Sequence, residues 1–161
     1  WNSRNLVFAN YFKSDFQKWY SIVKLVVNDF SINTVALINS WANQNCIKEG
    51  FAPTKFYERP KEQLVSANGG PLNIRYKLNK GHIQNDDYYF KNIFLIVDNI
   101  TNDVILGTSF LTQIYPFTVN KTRVHTKIMG KTISFNFLSA AHQKEILNLQ
   151  SSSIFRQINS L

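Results

Sequence analysis

Short runs of β-branched and aromatic residues, separated by turn residues, recur at intervals of roughly ten residues along this chain. Lys18 to Val27 is such a run, and Thr34 to Ile38 is another that is too short for a helix. Leu72 to Leu78 and Tyr88 to Val97 follow, and a last pair flanks Gly130-Lys131. This spacing predicts a mainly β fold, a small closed or sandwiched antiparallel sheet. One short helix is expected over Ser109–Ile114, and a C-terminal helix over Ala140–Leu149.

The chain length divides most simply into one domain with two tails. Of the 161 residues, 44% are apolar and 17% charged, which is ordinary globular composition. We expect a linker or short extension over 1–17, a β domain over 18–138, and a helix with a Ser-rich linker over 139–161. Because the chain begins with Trp1, we interpret it as a segment of a longer product.

Net charge and cysteine content limit the classes of partner. The formal charge is +8, but no block of five or six like charges occurs, so a solvated basic surface is favoured over a nucleic-acid site. The single Cys46 excludes an internal disulfide and fits a small buried side chain in an intracellular, cytoplasmic protein. His82, His125 and His142 lack ligand spacing, so neither a metal nor a cofactor is expected. No secretory signal or membrane span of about eighteen apolar residues is visible.

Two segments carry a motif. The first is Ala36-Leu37-Ile38-Asn39-Ser40-Trp41-Ala42, and the second, about sixty residues after it, runs from Asp103 to Leu111. This ordered pair resembles the signature of retropepsin-like aspartic proteases, and it is close to the protease segment of plant pararetrovirus polyproteins of the caulimovirus and badnavirus group. The resemblance covers 18–138. It implies a homodimer in which each subunit supplies one catalytic Asp and which cleaves a polyprotein peptide.

Position by position, the resemblance assigns roles to the first segment. Asn39 stands where the catalytic Asp is expected, and Trp41 stands where Gly lets the loop turn. Ser40 matches the hydroxyl residue that bonds across the dimer axis, and Ala42 completes the segment. Asn43 falls where many relatives carry a second Asp that binds the substrate main chain.

The remaining assignments concern substrate. The tip Asn68-Gly69-Gly70 is similar to the flap that closes over a bound peptide. Gly107 is similar to the residue that lets the second loop pack beneath the catalytic one, and Ile105 precedes it on the substrate-binding side.

The two departures predict a defective enzyme. Aspartic proteases use two carboxylates that share one proton, one acting as general base on water. An Asn amide cannot take up that proton. Trp41 in place of Gly adds an indole near the symmetry axis, and we expect overpacking there together with strain from a backbone angle that suits Gly. Single-base changes of this kind fit an integrated viral copy that drifts without selection.

Other interpretations remain open. The chain could be a non-catalytic β-barrel module for binding or dimerisation, or a basic nucleic-acid-binding segment of the same polyprotein. Asn39-Ser40 alone could be a plain turn after a strand. Asp103 is expected to cap a turn rather than to replace the catalyst, and Asp86 and Asp87 are expected in a solvated loop.

Overall fold

The computed structural model describes residues 18–60 and 74–138. The segments 1–17 and 139–161, with the predicted C-terminal helix, lie outside the described residues, as does the tip Asn68-Gly69-Gly70. Within the described ranges, no helix is long and apolar enough to cross a membrane.

Six strands form a closed barrel in the order β1-β2-β6-β3-β5-β4. Their bounds are β1 Lys18–Val27, β2 Phe30–Asn39, β3 Asn45–Lys48, β4 Lys77–Asn85, β5 Tyr88–Val97 and β6 Val104–Leu106. The predicted closed barrel is confirmed, but its sheet is not wholly antiparallel, because β6 pairs parallel with β2 and β3 pairs parallel with β5. Both parallel pairs join strands that are not consecutive in sequence, whereas turn signals reveal only consecutive hairpins.

Three further strands form a second sheet beside the barrel: β7 Phe117–Val119, β8 Arg123–Ile128 and β9 Lys131–Asn136. The sheet is tied to the barrel by backbone acceptors on β9. The Ser21 hydroxyl donates to the Asn136 carbonyl at 2.7 Å, and the Asn85 amide donates to the Ser134 carbonyl at 2.8 Å. The second sheet therefore packs against one side of the barrel.

Two short helical segments complete the fold. A single turn of 3₁₀ helix spans Thr54–Phe56, and α1 spans Thr108–Leu111 immediately after β6. Helix α1 is shorter than the predicted Ser109–Ile114, since the chain beyond Leu111 continues only as turns toward Pro116.

An aromatic cluster joins the three parts of the core. The Phe110 ring on α1 meets the Phe135 ring of β9 edge-on at 5.4 Å, and it meets the Phe90 ring of β5 at 6.0 Å. Buried rings in such edge-to-face contacts stabilise beyond their area burial. The helix is therefore fixed between the barrel and the second sheet, which positions the loop that precedes it.

Strand β4 differs from its prediction. The sequence predicted a strand over 72–78, whereas β4 begins at Lys77 and continues to Asn85. The apolar alternation stops at Leu78 because the pairing of β4 with β5 shifts register between Leu78 and Gly81, and Gly81 takes the next inward position. A Cβ on Gly81 would lie only 2.6 Å from the buried Phe94 ring, so the ring of the neighbouring strand fills the space that a side chain would use.

Candidate functional site

A tight turn follows the end of β2. The Asn39 side-chain oxygen accepts a hydrogen bond from the Trp41 N–H at 3.0 Å, and the Asn39 carbonyl accepts one from the Ala42 N–H at 3.2 Å. This is the Asx turn that Asn and Asp side chains form with backbone two residues ahead. The half-buried Asn39 therefore caps its own turn through its side-chain carbonyl oxygen. An Asp carboxylate has an oxygen at the same place.

The two motif segments meet at this turn. In the parallel β2–β6 pair, Ile38 lies opposite Leu106, so Asn39 and Gly107 leave the sheet side by side. Beyond them, the Thr108 N–H donates to the Ala42 carbonyl at 2.8 Å. The Thr108 hydroxyl donates to the Asn43 carbonyl at 3.2 Å. The loop from β6 to α1 is thus bonded to the loop that follows β2.

Gly107 is required for space rather than for conformation. Its φ of −98° is accessible to any residue. A Cβ at this position would lie 2.8 Å from the Gln44 carbonyl oxygen and closer still to the Ala42 carbonyl oxygen. The backbones of the two loops are therefore in direct contact at Gly107. This agrees with the predicted packing of the second loop beneath the first.

Comparison with known proteins shows the fold but no family. No protein-family model matches the chain, and no curated protein matches it. Among solved structures, the chain is similar to the retroviral protease-like domain of Ddi1 from Leishmania major, with 14% identity and a TM-score of 0.51 over 73% of this chain and 94% of that one. The fold is retropepsin-like. A retropepsin-like aspartic protease from Rickettsia conorii is also similar, with 13% identity and a TM-score of 0.41 over 75% of this chain and 85% of that one.

Within this retropepsin-like fold, a buried amide network supports the loop junction. The Gly107 N–H donates to the Asn45 side-chain oxygen at 2.9 Å, and the Asn45 amide donates to the Asn92 side-chain oxygen at 2.8 Å. The Gln113 amide donates to the same Asn92 oxygen at 3.1 Å, and the Asn92 amide donates to the Phe90 carbonyl. Asn45 and Asn92 are 1% and 4% exposed. The network links β3, β5 and the segment after α1 to Gly107.

Sequence reasoning missed this network. A signal was present in β5, where Asn92 takes an inward position between Phe90 and Phe94. An amide in that register must find partners, because a buried polar group without a hydrogen bond is costly. No comparable signal marks Asn45, since β3 has only four residues, Asn-Cys-Ile-Lys, in which polar and apolar types do not alternate.

We expect Asn45→Ala to lower the free energy of unfolding by about 2 kcal/mol, because it leaves the Gly107 N–H without its acceptor and removes one of the two amide donors to the Asn92 side-chain oxygen. Urea unfolding followed by circular dichroism measures the loss. The matched control is Asn33→Ala at an exposed position of β2, where we expect a change within about 0.5 kcal/mol. Equal effects of the two variants would contradict the assigned role of Asn45.

Trp41 corrects one expectation. Among the described residues other than glycine, positive φ occurs at Asn28, Asp86 and Met129, and not at Trp41. The predicted strain from a Gly-type backbone angle is therefore wrong, because the Asx turn holds position 41 in a conformation that any residue adopts. The indole is 67% exposed, so it is not overpacked within one chain. Crowding between two copies at a symmetry axis stays a prediction.

Among the residues that the structure describes, the turn around Asn39 holds no carboxylate. No Asp or Glu occurs between residues 30 and 48 or between 104 and 138. Asp103 precedes β6, at the opposite end of that strand from Gly107, where its carboxylate accepts from the Thr34 hydroxyl at 3.3 Å. Asp86 and Asp87 lie exposed in the β4–β5 turn, as predicted. None of these acids can therefore substitute for a carboxylate at position 39.

Three further residues were predicted to belong to the site: Ser40, Asn43 and Ile105. Ser40 is half-buried, and its hydroxyl bonds to no other described residue. Asn43 is exposed, and Ile105 is half-buried in the middle of β6. Whether these three contact a substrate stays a prediction.

Neither a reactive thiolate nor a cluster of metal ligands is found among the described residues. Burial raises the pKa of the Cys46 thiol from 9.0 to about 11, so the thiol is neutral near pH 7. A neutral thiol is a poor nucleophile, which agrees with the interpretation of Cys46 as a packing residue. Within 18–60 and 74–138, no group of three or more His, Cys, Asp or Glu residues could hold a metal ion.

Proposed function

We propose that this chain is a degenerate retropepsin-like aspartic protease domain from a plant pararetroviral polyprotein, one that keeps the fold and has lost peptide hydrolysis. The observation that carries the proposal is the place of Asn39. It ends β2 on a tight turn beside Gly107, where the motif resemblance puts the catalytic Asp. The retropepsin-like fold supports this assignment, and the motif pair supports the pararetroviral origin.

The loss of activity follows from the chemistry of the Asn39 amide. A general base must accept a proton from water, and an amide oxygen is too weakly basic to do so. In addition, the Asn39 oxygen already accepts a hydrogen bond from the Trp41 N–H at 3.0 Å. General acid–base catalysis typically contributes about 10²–10⁴ in rate. A symmetric dimer loses both of its catalytic groups through one substitution.

A homodimer through the turn after β2 is part of the proposal. An isologous contact would place the two copies of Asn39, Ser40 and Trp41 around a two-fold axis. The Ser40 hydroxyl, which bonds to no other described residue, suits a bond across that axis. The exposed Trp41 indole would become buried in the same contact, which gives the dimer a spectroscopic signal.

The proposed setting is intracellular, as part of a polyprotein encoded by a genome-integrated viral copy. A lone Cys46 agrees with a reducing compartment. In an active relative of this kind, the peptide substrate would lie between the turn after β2 and the flap. Sequencing of the surrounding gene tests the origin, since neighbouring capsid and reverse-transcriptase regions would support a pararetroviral polyprotein.

The unmodified chain should be a dimer that does not cleave peptides. We expect sedimentation equilibrium to show a dimer at micromolar concentration, and Trp fluorescence to shift to shorter wavelength as concentration rises. The control variant Trp41→Phe should remove that shift while leaving the sedimentation unchanged. Cleavage of a peptide library by the unmodified chain, blocked by a statine-type inhibitor, would contradict the loss of activity. A chain that stays monomeric would contradict the dimer.

A further inference from the structure

The outer side of the second sheet carries an array of basic side chains. In β8, Val124 and Thr126 point into the core, and the alternate residues face outward. We call the basic face the outward residues Arg123, His125 and Lys127 of β8 together with Lys121, which is exposed in the turn before β8. The sequence hid this set, because its residues alternate with Thr and Val and never form a block of like charge.

The charge of this region is not balanced locally. Between residues 104 and 138 there are four Lys or Arg residues and no Asp or Glu. Lys131 reaches across to Asp87 of the barrel at 3.6 Å. Arg123 donates to the neutral Ser134 hydroxyl at 2.8 Å. Among residues 18–60 and 74–138, no carboxylate forms an ion pair with Lys121, Arg123 or Lys127, so their positive potential is available to an anionic partner.

Polar side chains surround the basic face. The outward residues of the neighbouring strands carry hydroxyl or amide groups: Thr118, Thr132, Ser134 and Asn136. Such groups, with Lys and Arg, make most contacts to phosphate oxygens in nucleic-acid complexes. Of the large exposed hydrophobic side chains among the described residues, Met129 belongs to the second sheet, where it lies in the β8–β9 turn. The face therefore suits phosphate rather than apolar insertion into a lipid surface.

Along β8, Arg123 and Lys127 carry formal positive charge, and the His125 imidazole lies between them on the same side of the strand. Alternate residues of a strand lie about 6.6 Å apart, which places Arg123, His125 and Lys127 in a line at regular intervals. No described Phe, Tyr or Trp side chain projects from this line to stack on a base. We propose that the basic face binds the phosphate backbone of a nucleic acid without regard to base sequence. This proposal is independent of the site at Asn39.

Binding of a labelled 20-nucleotide RNA of mixed sequence, followed by fluorescence anisotropy at several KCl concentrations, tests the proposal. We expect the logarithm of affinity to fall with the logarithm of salt concentration, at a slope of about −0.7 per contacted phosphate. The triple variant Lys121→Gln, Arg123→Gln, Lys127→Gln should weaken binding at least about tenfold and reduce the slope by roughly 2. An RNA of different sequence should bind equally well.

The control variant removes three positive charges elsewhere: Lys24→Gln, Lys48→Gln, Lys91→Gln, all exposed on the barrel strands. It should change the affinity by less than about threefold. Equal weakening by both triple variants would overturn the proposal, because net charge alone would then explain binding. So would tighter binding to phosphatidylserine vesicles than to RNA. The double variant Lys121→Gln, Lys127→Gln keeps the Arg123 bond to Ser134 and tests the same face if the triple variant unfolds.

Discussion

The double variant Asn39→Asp, Trp41→Gly is expected to cleave peptides at mildly acid pH, at a rate at least about 10²-fold above the unmodified chain. An Asp at position 39 can form the same Asx turn, because its carboxylate offers an oxygen to the N–H of position 41. Two such carboxylates at a dimer axis cannot both ionise, so one acts as base and the other as acid. Cleavage of a fluorogenic peptide library between about pH 4 and 7 measures the gain.

The matched control for this experiment is Asn33→Asp, Trp41→Gly. It makes the same change in composition and charge, but the new carboxylate lies at an exposed position of the same strand. We expect it to remain inactive, and we expect Trp41→Gly alone to remain inactive as well. A folded, dimeric Asn39→Asp, Trp41→Gly protein that cleaves no peptide would show that position 39 is not the former catalytic position.

Gly107→Ala is expected to lower the free energy of unfolding by about 3 kcal/mol, at the upper end of the usual cost of overpacking. The added methyl would lie 2.8 Å from the Gln44 carbonyl oxygen and nearer to that of Ala42, and both are backbone atoms that a rotamer change cannot move. Relief requires the two loops to separate, which breaks the Thr108–Ala42 hydrogen bond. Urea unfolding measures the loss of stability.

Gly130→Ala serves as the control for this variant. An alanine methyl at Gly130 would have nothing within 4 Å, but the φ of this residue is +79°, so the substitution carries only conformational strain of about 1 kcal/mol. A loss at Gly107 no greater than the loss at Gly130 would show that the loops can move apart easily. The close approach of the two motif segments would then not be a constraint on the fold.

Much of the barrel and of the second sheet could be predicted because local sequence marks their hairpins. Strands β1 and β5, and the β8–β9 hairpin, show β-rich runs with turn residues between them, and the structure has them within a few residues of the predicted bounds. The meeting of Asn39 and Gly107 was predicted from the motif pair alone. No local pattern could show it, because the contact joins parallel strands far apart in sequence.

The remainder depends on contacts that a single sequence does not display. Strands β3 and β6 have four and three residues, too few for a period to emerge. Gly81 faces inward, and the space beside it is filled by the Phe94 ring from the neighbouring strand. The amide pair Asn45 and Asn92 is recognisable as a network only once β3 and β5 lie side by side.

The hydrogen bond from the Trp41 N–H to the Asn39 side chain has an evolutionary consequence. The backbone at this bend needs only an oxygen acceptor. On the proposed function, exchange of a carboxylate for an amide therefore silences catalysis without disturbing the architecture. Folding then depends only on the oxygen acceptor of this side chain, whereas hydrolysis depends on its ability to take up a proton. A lineage that no longer needs the reaction can abandon it in a single nucleotide step and still make a well-formed protein.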